Sequence, residues 1–422
     1  MSYSDKSIQE LIRLADTEES WKDVTNKWNM QFSDSIGNRS LNALRKLYKR
    51  TIITLKGDEN LDDGTILKSL QSAQRQATIN RVLSKQNRVL SDNQISYNEF
   101  LDKFKQIINN TQLKVHKQVK SVKRKEIRRT IVGHISDTHI GVRIDKKEMG
   151  GSNSFNPKLA ARRFAYYFNE LSNYKIEHRA ETDLVLVLNG DILAGIIHSQ
   201  EFGVDLMATQ FANAISILSQ GISFVSQRFN NIKIYCVTGN HDRYVHKDNI
   251  GRQSDHKWDS FATNLYVALR EVFKKDKTIE FIIPETPYAL FKIFNHNIIA
   301  SHGDTFINLG NPGKSINTKD ITSQVNNISV GLGIKIDVLM GGHVHKATYQ
   351  SLDNGTELVI NGTLSGTDAF AQSIGITSNH PTQQLLEVTQ DHAVGDMRFI
   401  RLINADNDQT LDKIIEPLLT NF

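Results

Sequence analysis

With 422 residues and 39% hydrophobic content, the chain is long enough for one large globular domain and one or two smaller ones. Its single cysteine, Cys236, excludes an internal disulfide and a thiolate-rich metal cage. No apolar run is long enough to span a bilayer, and the opening Met1-Ser2-Tyr3-Ser4-Asp5 lacks the features of a signal peptide, so a cytoplasmic location without a membrane partner is expected.

The net charge of +5 conceals an asymmetry: residues 1–130 hold 25 Lys and Arg against 15 Asp and Glu, and residues 131–422 hold 26 against 31. A basic front end on an acidic body points to a polyanionic partner. The front end, residues 1–52, reads as three short helices. Ile8, Leu11, Ile12 and Leu14 have helical spacing. Ser20 and Asp23 resemble a capping box opening a second helix, which carries Trp21, Val24 and Trp28 on one face. After the turn Gly37-Asn38-Arg39-Ser40, Leu41, Leu44 and Leu47 mark the buried side of a third helix. Its other side shows Arg39, Asn42, Arg45, Lys46, Lys49 and Arg50. This arrangement resembles the helix-turn-helix of homeodomain or Myb type, which implies a third helix in the major groove of DNA. A helical domain with a merely solvated basic face is the alternative.

Residues 53–128 are polar and end in a run from Lys114 to Arg129 with eight Lys or Arg and one Glu. A connecting helix or a flexible basic linker both fit.

Character changes at Thr130. Apolar runs at Thr130–Ile135, Leu184–Leu188, Ile232–Val237, Ile298–Ala300, Val338–Met340 and Leu358–Ile360 read as buried strands separated by helical stretches. Met397–Ile403 reads as a further strand that finishes a sheet. Cys236 lies inside one of these runs and reads as a small core residue. The fold class is therefore α/β from about residue 129 to 422, preceded by a small all-α domain.

Short polar loops follow the strands, and open α/β sheets place their sites there. In order they hold Asp137-Thr138-His139, Gly190-Asp191, Gly239-Asn240-His241-Asp242, Ser301-His302-Gly303-Asp304 and Gly342-His343-Val344-His345. Aspartate, asparagine and imidazole without sulfur suit Mn²⁺, Fe or Zn²⁺ and contain too much nitrogen for Ca²⁺. Seven such groups exceed the needs of one ion with an open position, so two ions sharing a carboxylate fit better. The neighbouring glycines are expected to allow tight turns and close approach of a substrate phosphate.

Asp-x-His, Gly-Asp, Gly-Asn-His-Asp, His and Gly-His-x-His in this order resemble the complete motif set of the calcineurin-like metallophosphoesterases, over roughly Ile131 to Gly362. The resemblance implies a four-layer αββα sandwich. It also implies one metal held by Asp137, His139 and His345, and a second held by Asn240, His302 and His343, with Asp191 bridging. His241 would be no ligand but would contact the phosphate and protonate the leaving oxygen, oriented by Asp242. The chemistry agrees: two cations about 3.5–4 Å apart activate water and clamp phosphoryl oxygens for in-line attack. Imidazole as a class titrates near neutrality and suits a general acid. Asp304, His198, Arg143, Arg243 and His246 lie near the motifs and are further candidates for substrate contact, with a structural role as the alternative.

The family includes protein phosphatases, cyclic nucleotide phosphodiesterases, nucleotidases and DNA nucleases, and the metal site does not separate them. The basic front end favours DNA, because Lys and Arg neutralising phosphates supply sequence-independent affinity. The chain resembles phage-encoded DNases and, by its motifs, the exonuclease subunit of double-strand-break repair complexes. Repair exonucleases of that type carry a capping domain after the last His motif. Here 77 residues follow His345, so no separate capping domain is expected. The expectation is a DNA nuclease using two divalent ions, with Mn²⁺ foremost, that hydrolyses phosphodiesters by attack of a metal-bridging hydroxide. A phosphatase or phosphodiesterase acting on a small or protein substrate is the alternative. Related nucleases assemble, so a homo-oligomer is also an expected partner. Two inserts, Asp145–Pro157 and Leu309–Gln324, could be mobile loops over the site or surface decoration.

Overall fold

A computed structural model describes residues 5–18, 20–36, 39–56, 129–174, 182–196, 204–244, 257–312, 315–367, 372, 380–406 and 408. The chain divides into two units, Met1–Glu99 and Phe100–Phe422.

In the first unit, α1 (Asp5–Thr17), α2 (Trp21–Ile36) and α3 (Leu41–Lys56) surround one small core. Trp28 is fully buried at its centre among Leu11, Leu14, Val24, Phe32 and Leu44. Its indole N–H donates to the Ser7 carbonyl at 2.8 Å, which satisfies the ring's one polar group. Ser20 caps α2, its hydroxyl accepting from the Asp23 amide at 3.2 Å. Asn29 fixes the approach to α3, since its side chain donates to the Arg39 carbonyl and accepts from the Arg39 amide at 2.9 and 2.8 Å. Asn42, Arg45, Lys46 and Lys49 lie on the exposed side of α3, and the Arg45 guanidinium also stands 5.5 Å from the Trp21 ring centroid. Helix α3 runs four residues beyond the expected boundary at 52. The Arg50 side chain, and the linker from residue 57 to 128, lie outside the described residues.

The second unit contains β1 (Arg129–Ile135), α4 (Pro157–Asn173), β2 (Thr182–Asn189), α5 (Met207–Val225), β3 (Ile232–Val237), α6 (Phe261–Phe273) and β4 (Ile279–Ile282). After these come β5 (Tyr288–Ile293), β6 (His296–Ser301), α7 (Thr318–Leu332), β7 (Val338–Gly341), β8 (Thr348–Ser351), β9 (Glu357–Ile360), β10 (Thr382–Thr389) and β11 (Asp396–Arg401). One sheet has the order β11-β10-β1-β2-β3-β4, and the other β5-β6-β7-β9-β8. Strands β1 to β4 run parallel, and β10 and β11 join them antiparallel. In the second sheet β6, β7 and β9 are parallel.

Side-chain alternation builds the layers. Ile131 and Ile135 of β1 join the core under α4, α5 and α6, whereas Val132 points into the space between the sheets. Val185, Val187 and Val237 from the first sheet meet Phe291, Ile298, Ala300, Val338, Met340 and Val359 from the second in that middle core. Ile299, Leu339, Leu358 and Ile360 face the other way, against Ile321 and Val325 of α7. The result is the expected four-layer αββα sandwich.

Among the described residues each insert is anchored by a few buried side chains. Ile144 and Phe155 exchange backbone hydrogen bonds of 2.8 and 3.1 Å, and Met149 between them is buried. The second insert contains the first turns of α7 and the buried Leu309. Among the described residues, no helix is long and apolar enough to cross a membrane.

Candidate metal centre

Parallel strands deliver their C-terminal ends to one edge. The loops after β1, β2, β3, β6 and β7 therefore meet there, and backbone hydrogen bonds lock them together. The amides of Asp137, Thr138 and His139 donate to the carbonyls of Gly190 and Asp191 at 2.9–3.1 Å. The Gly342 amide donates to the His302 carbonyl at 2.8 Å, and the His343 amide to Asp137 Oδ1 at 2.9 Å.

The backbone bends sharply to aim these side chains. Among the described residues six non-glycines have positive φ, and five of them are Asp137 (50°), His139 (45°), Asp191 (51°), His343 (67°) and His345 (58°). Asp and His enter the left-handed region more readily than most residues, at a strain that the interlocked loops sustain.

Two groups of donors result. Asp137, His139 and His345 each offer a donor atom within 4.8 Å of the others, and so do Asp191, His302 and His343. Asp191 also falls within that distance of His139 and His241, so it faces both groups. His139 Nε2 lies 3.1 Å from His345 Nε2, and His345 Nε2 lies 3.4 Å from Asp137 Oδ1. His302 donates from Nδ1 to the Asn189 carbonyl at 2.9 Å, which leaves Nε2 directed at Asp191 Oδ2, 3.1 Å away. That contact lacks hydrogen-bond alignment, and His302 Nε2 and Asn240 Oδ1 are both buried without a hydrogen-bond partner. A buried amide oxygen without a partner, set among imidazoles and carboxylates with no sulfur, fits a divalent cation.

The charges in the metal-free site follow from this crowding. Burial opposes ionisation of Asp137, but His345 and His302 outweigh it and hold its pKa down at about 2. Burial acts against a proton on His302, yet Asp191, Asp137 and Asp304 prevail and push its pKa up to about 10. His139 is driven well down by burial and by its neighbours His241 and His345. His343 is lowered to about 4 by burial and by His302. The ionised Asp137 and Asp191 thus face a protonated His302, with His139 and His343 neutral beside them.

Around the donors lies a supporting shell that sequence reasoning missed, apart from Asp242. Asp242, fully buried, accepts from the Gly239 amide at 2.6 Å and from the Asp191 amide at 3.0 Å. It therefore pins the loop after β3 to the loop after β2. The orienting contact on His241 expected from Asp242 comes instead from the Ala194 carbonyl, which accepts from Nδ1 at 3.0 Å. Ser136 Oγ donates to Asp137 Oδ2 at 2.5 Å, and Thr363 Oγ1 and the Leu364 amide both donate to the Asp137 carbonyl at 3.0 Å. Gln383 of β10 accepts from the Ser136 amide and donates to the Ser136 carbonyl, both at 3.0 Å. These residues lack the spacing of a motif, so nothing in the sequence marks them.

Gly190 (φ 82°) and Gly303 (φ 117°) supply the expected tight turns, and two further glycines let the loops approach. A Cβ on Gly239 would lie 2.0 Å from Asp191 Oδ1, and one on Gly342 would lie 2.5 Å from Asp137 Oδ2. These glycines let the loops of the site close on one another.

Of the further candidates, Arg143 is paired with Asp205 at 2.5 Å. Asp304 holds Lys257 and, at 3.5 Å, Arg243. His198 and His246 lie outside the described residues.

The profile of the calcineurin-like phosphoesterases matches residues 131–347, just over half of the chain. No curated protein matches. Among solved structures, wild-type Vps29 complexed with zinc from Entamoeba histolytica is similar, at 13% identity over 64% of this chain and 99% of that one, with a TM-score of 0.28. A 5'-nucleotidase from Candida albicans SC5314 is also similar, at 13% identity over 70% of this chain and 58% of that one, with a TM-score of 0.33. A conserved protein from Streptococcus pneumoniae TIGR4, described as a predicted phosphoesterase, aligns at 12% identity over 65% and 98%, with a TM-score of 0.27. With its profile match, its fold and its converging motifs, this chain belongs to the calcineurin-like phosphoesterases and is a metal-dependent hydrolase.

Proposed function

We propose that this phosphoesterase is a DNA nuclease working with two divalent cations, Mn²⁺ foremost. The observation that carries the two-metal part is the pair of donor groups, Asp137/His139/His345 and Asp191/His302/His343, with Asp191 facing both. In this reading the first group holds one cation. Asn240 joins His302 and His343 around the other, and Asp191 spans the two. When bound, such a pair supplies Lewis-acid activation of water and neutralises charge on the phosphoryl oxygens. His241 contacts the phosphate and donates the proton that the departing oxygen needs. The Ala194 carbonyl accepts and cannot donate, so it keeps a hydrogen on Nδ1 and leaves Nε2 for the transfer.

The choice of DNA is supported by α3, whose exposed Asn42, Arg45, Lys46 and Lys49 form a basic helix face on a small three-helix unit. Such a face contributes affinity for a phosphate backbone irrespective of base sequence.

The test is hydrolysis of linear and circular DNA by the full chain in Mn²⁺, in Mg²⁺ and in EDTA, beside a generic phosphomonoester. Metal-dependent DNA cleavage that vanishes in His241→Ala, with metal content retained, is the expected outcome, and cutting of circles would add endonuclease activity. Turnover of the phosphomonoester with DNA left intact would replace this reading with a phosphatase acting on a small or protein substrate. Loss of both metals in His241→Ala would make His241 a ligand instead of a proton donor.

A further inference from the structure

Helix α5 begins beside the site and carries a fully buried glutamine in its first turn, Gln210. Its amide is spent on the backbone of a single neighbouring segment and on its own helix start. Oε1 accepts from the Gly195 amide at 2.9 Å, and Nε2 donates to the Gly195 carbonyl at 3.1 Å and the Asp205 carbonyl at 2.8 Å. Three stretches of chain are stitched together at this point. The Ala194 amide donates to the Ile140 carbonyl at 3.0 Å, and the Asp205 amide to the Gly141 carbonyl at 2.8 Å. The packing leaves little slack. A Cβ on Gly195 would lie 1.8 Å from the His241 carbonyl oxygen, and one on Gly141 would lie 2.4 Å from Gln210 Cγ.

The segment that Gln210 holds by both the amide and the carbonyl of Gly195 presents the Ala194 carbonyl to the site, 3.0 Å from His241 Nδ1. We infer that Gln210 is a positioning residue for proton transfer: through Gly195 it fixes the Ala194 carbonyl, and thereby the tautomer and ring orientation of His241. The inference rests on the reading of His241 as proton donor. In the step concerned, hydroxide forms a new P–O bond as the bond to the leaving group breaks. His241 Nε2 gives its proton to the departing oxygen while Nδ1–H stays on the Ala194 carbonyl. A ring free to turn would offer Nε2 in the right direction for only part of the time.

A proton donor matters most when the leaving oxygen is basic, so dependence on the leaving group separates this role from general support of the fold. The experiment compares the full-length wild type, His241→Ala and Gln210→Met in Mn²⁺ on aryl phosphodiesters whose leaving groups run from 4-nitrophenol to phenol. Gln210→Met keeps the side-chain length and removes the three hydrogen bonds. For Gln210→Met, the ratio of phenyl to 4-nitrophenyl kcat/KM should fall at least tenfold from wild type, in the direction of His241→Ala. A second readout needs no metal: with ¹⁵N-labelled histidine in the metal-free full chain, the His241 ring signals, assigned by their absence in His241→Ala, should lose their Nδ1–H signature in Gln210→Met.

An unchanged ratio together with an unchanged ring signature would overturn the inference, as would an equal loss of rate on every leaving group. If His241→Ala itself shows no dependence on the leaving group, the reading of His241 fails first. Should Gln210→Met not fold, Gln210→Glu gives the same comparison, since it retains the acceptor for the Gly195 amide and loses both donors.

Discussion

Replacing Gly239 with alanine puts a methyl carbon 2.0 Å from Asp191 Oδ1 and 2.5 Å from the Asp191 amide nitrogen. Ordinary contact at such atoms needs roughly 3.4 Å, so one side must retreat by more than an ångström. Neither side is free to do so. The Gly239 amide is bonded to Asp242 Oδ2 at 2.6 Å, and Asp191 Oδ1 accepts from the His241 amide at 2.8 Å. Overpacking of this kind costs about 1–3 kcal/mol of stability. For a unit of this size that lowers Tm by roughly 2–5 °C. The sharper effect should fall on metal binding, because Asp191 faces both donor groups and cannot yield without moving away from them. At least a tenfold loss of Mn²⁺ affinity is expected, comparable to the loss of a supporting contact around a metal ligand. Calorimetric titration with Mn²⁺ and thermal unfolding of the metal-free protein measure the two effects. A Gly239→Ala protein that binds two Mn²⁺ with wild-type affinity would refute the idea that the loops after β2 and β3 must close on each other.

Three other expectations can be checked directly. His302 keeps a proton up to about pH 10 in the metal-free site, so a cation must expel it. Mn²⁺ affinity should therefore rise about tenfold per pH unit through neutrality with release of one proton, and titration in buffers of different ionisation enthalpy would expose a flat response as a contradiction. Asp242 is raised to about 7, first by burial and then by Asp191, against an ordinary value of 3.8. The folded metal-free protein thus holds a proton that the unfolded chain has lost, and stability falls as pH rises from about 4 to 7. Asp242→Asn removes that charge and should gain about 3 kcal/mol on wild type between pH 5 and pH 8 in denaturant unfolding, so a constant difference would count against it. If α3 meets DNA, Lys46→Gln and Lys49→Gln should each reduce the slope of log affinity against log salt by about 1. An unchanged slope in the double substitution would remove α3 from the interface.

The clustering of the donors was legible in the sequence because they lie in short runs directly after apolar strands. Asp137 and His139 sit two residues apart within one donor group, and His343 and His345, also two apart, give one imidazole to each group. The strands β1, β2, β3 and β7 read clearly because they are mostly buried apolar runs. Strand β10 did not, although it pairs with β1 inside the first sheet. Its Gln383 and Gln384 look like loop residues, yet they are buried, and Gln383 braces the backbone below Asp137. Strand β8, Thr348–Ser351, is an exposed polar edge with no apolar run to reveal it. The start of α7 resembled an insert because only Ile321 and Val325 of that helix are buried. The role of Asp242 was misread for a different cause. The family resemblance implied contact with His241, but the carboxyl is turned to the backbone amides of Gly239 and Asp191. The left-handed conformations of the donors carry no sequence signal at all.

Anomalous diffraction from crystals of the full chain grown with Mn²⁺ tests the central claim most directly. Two peaks are expected, one bounded by Asp137, His139 and His345, the other by Asn240, His302 and His343, with Asp191 between them. A single peak, or manganese bound away from these side chains, would contradict it.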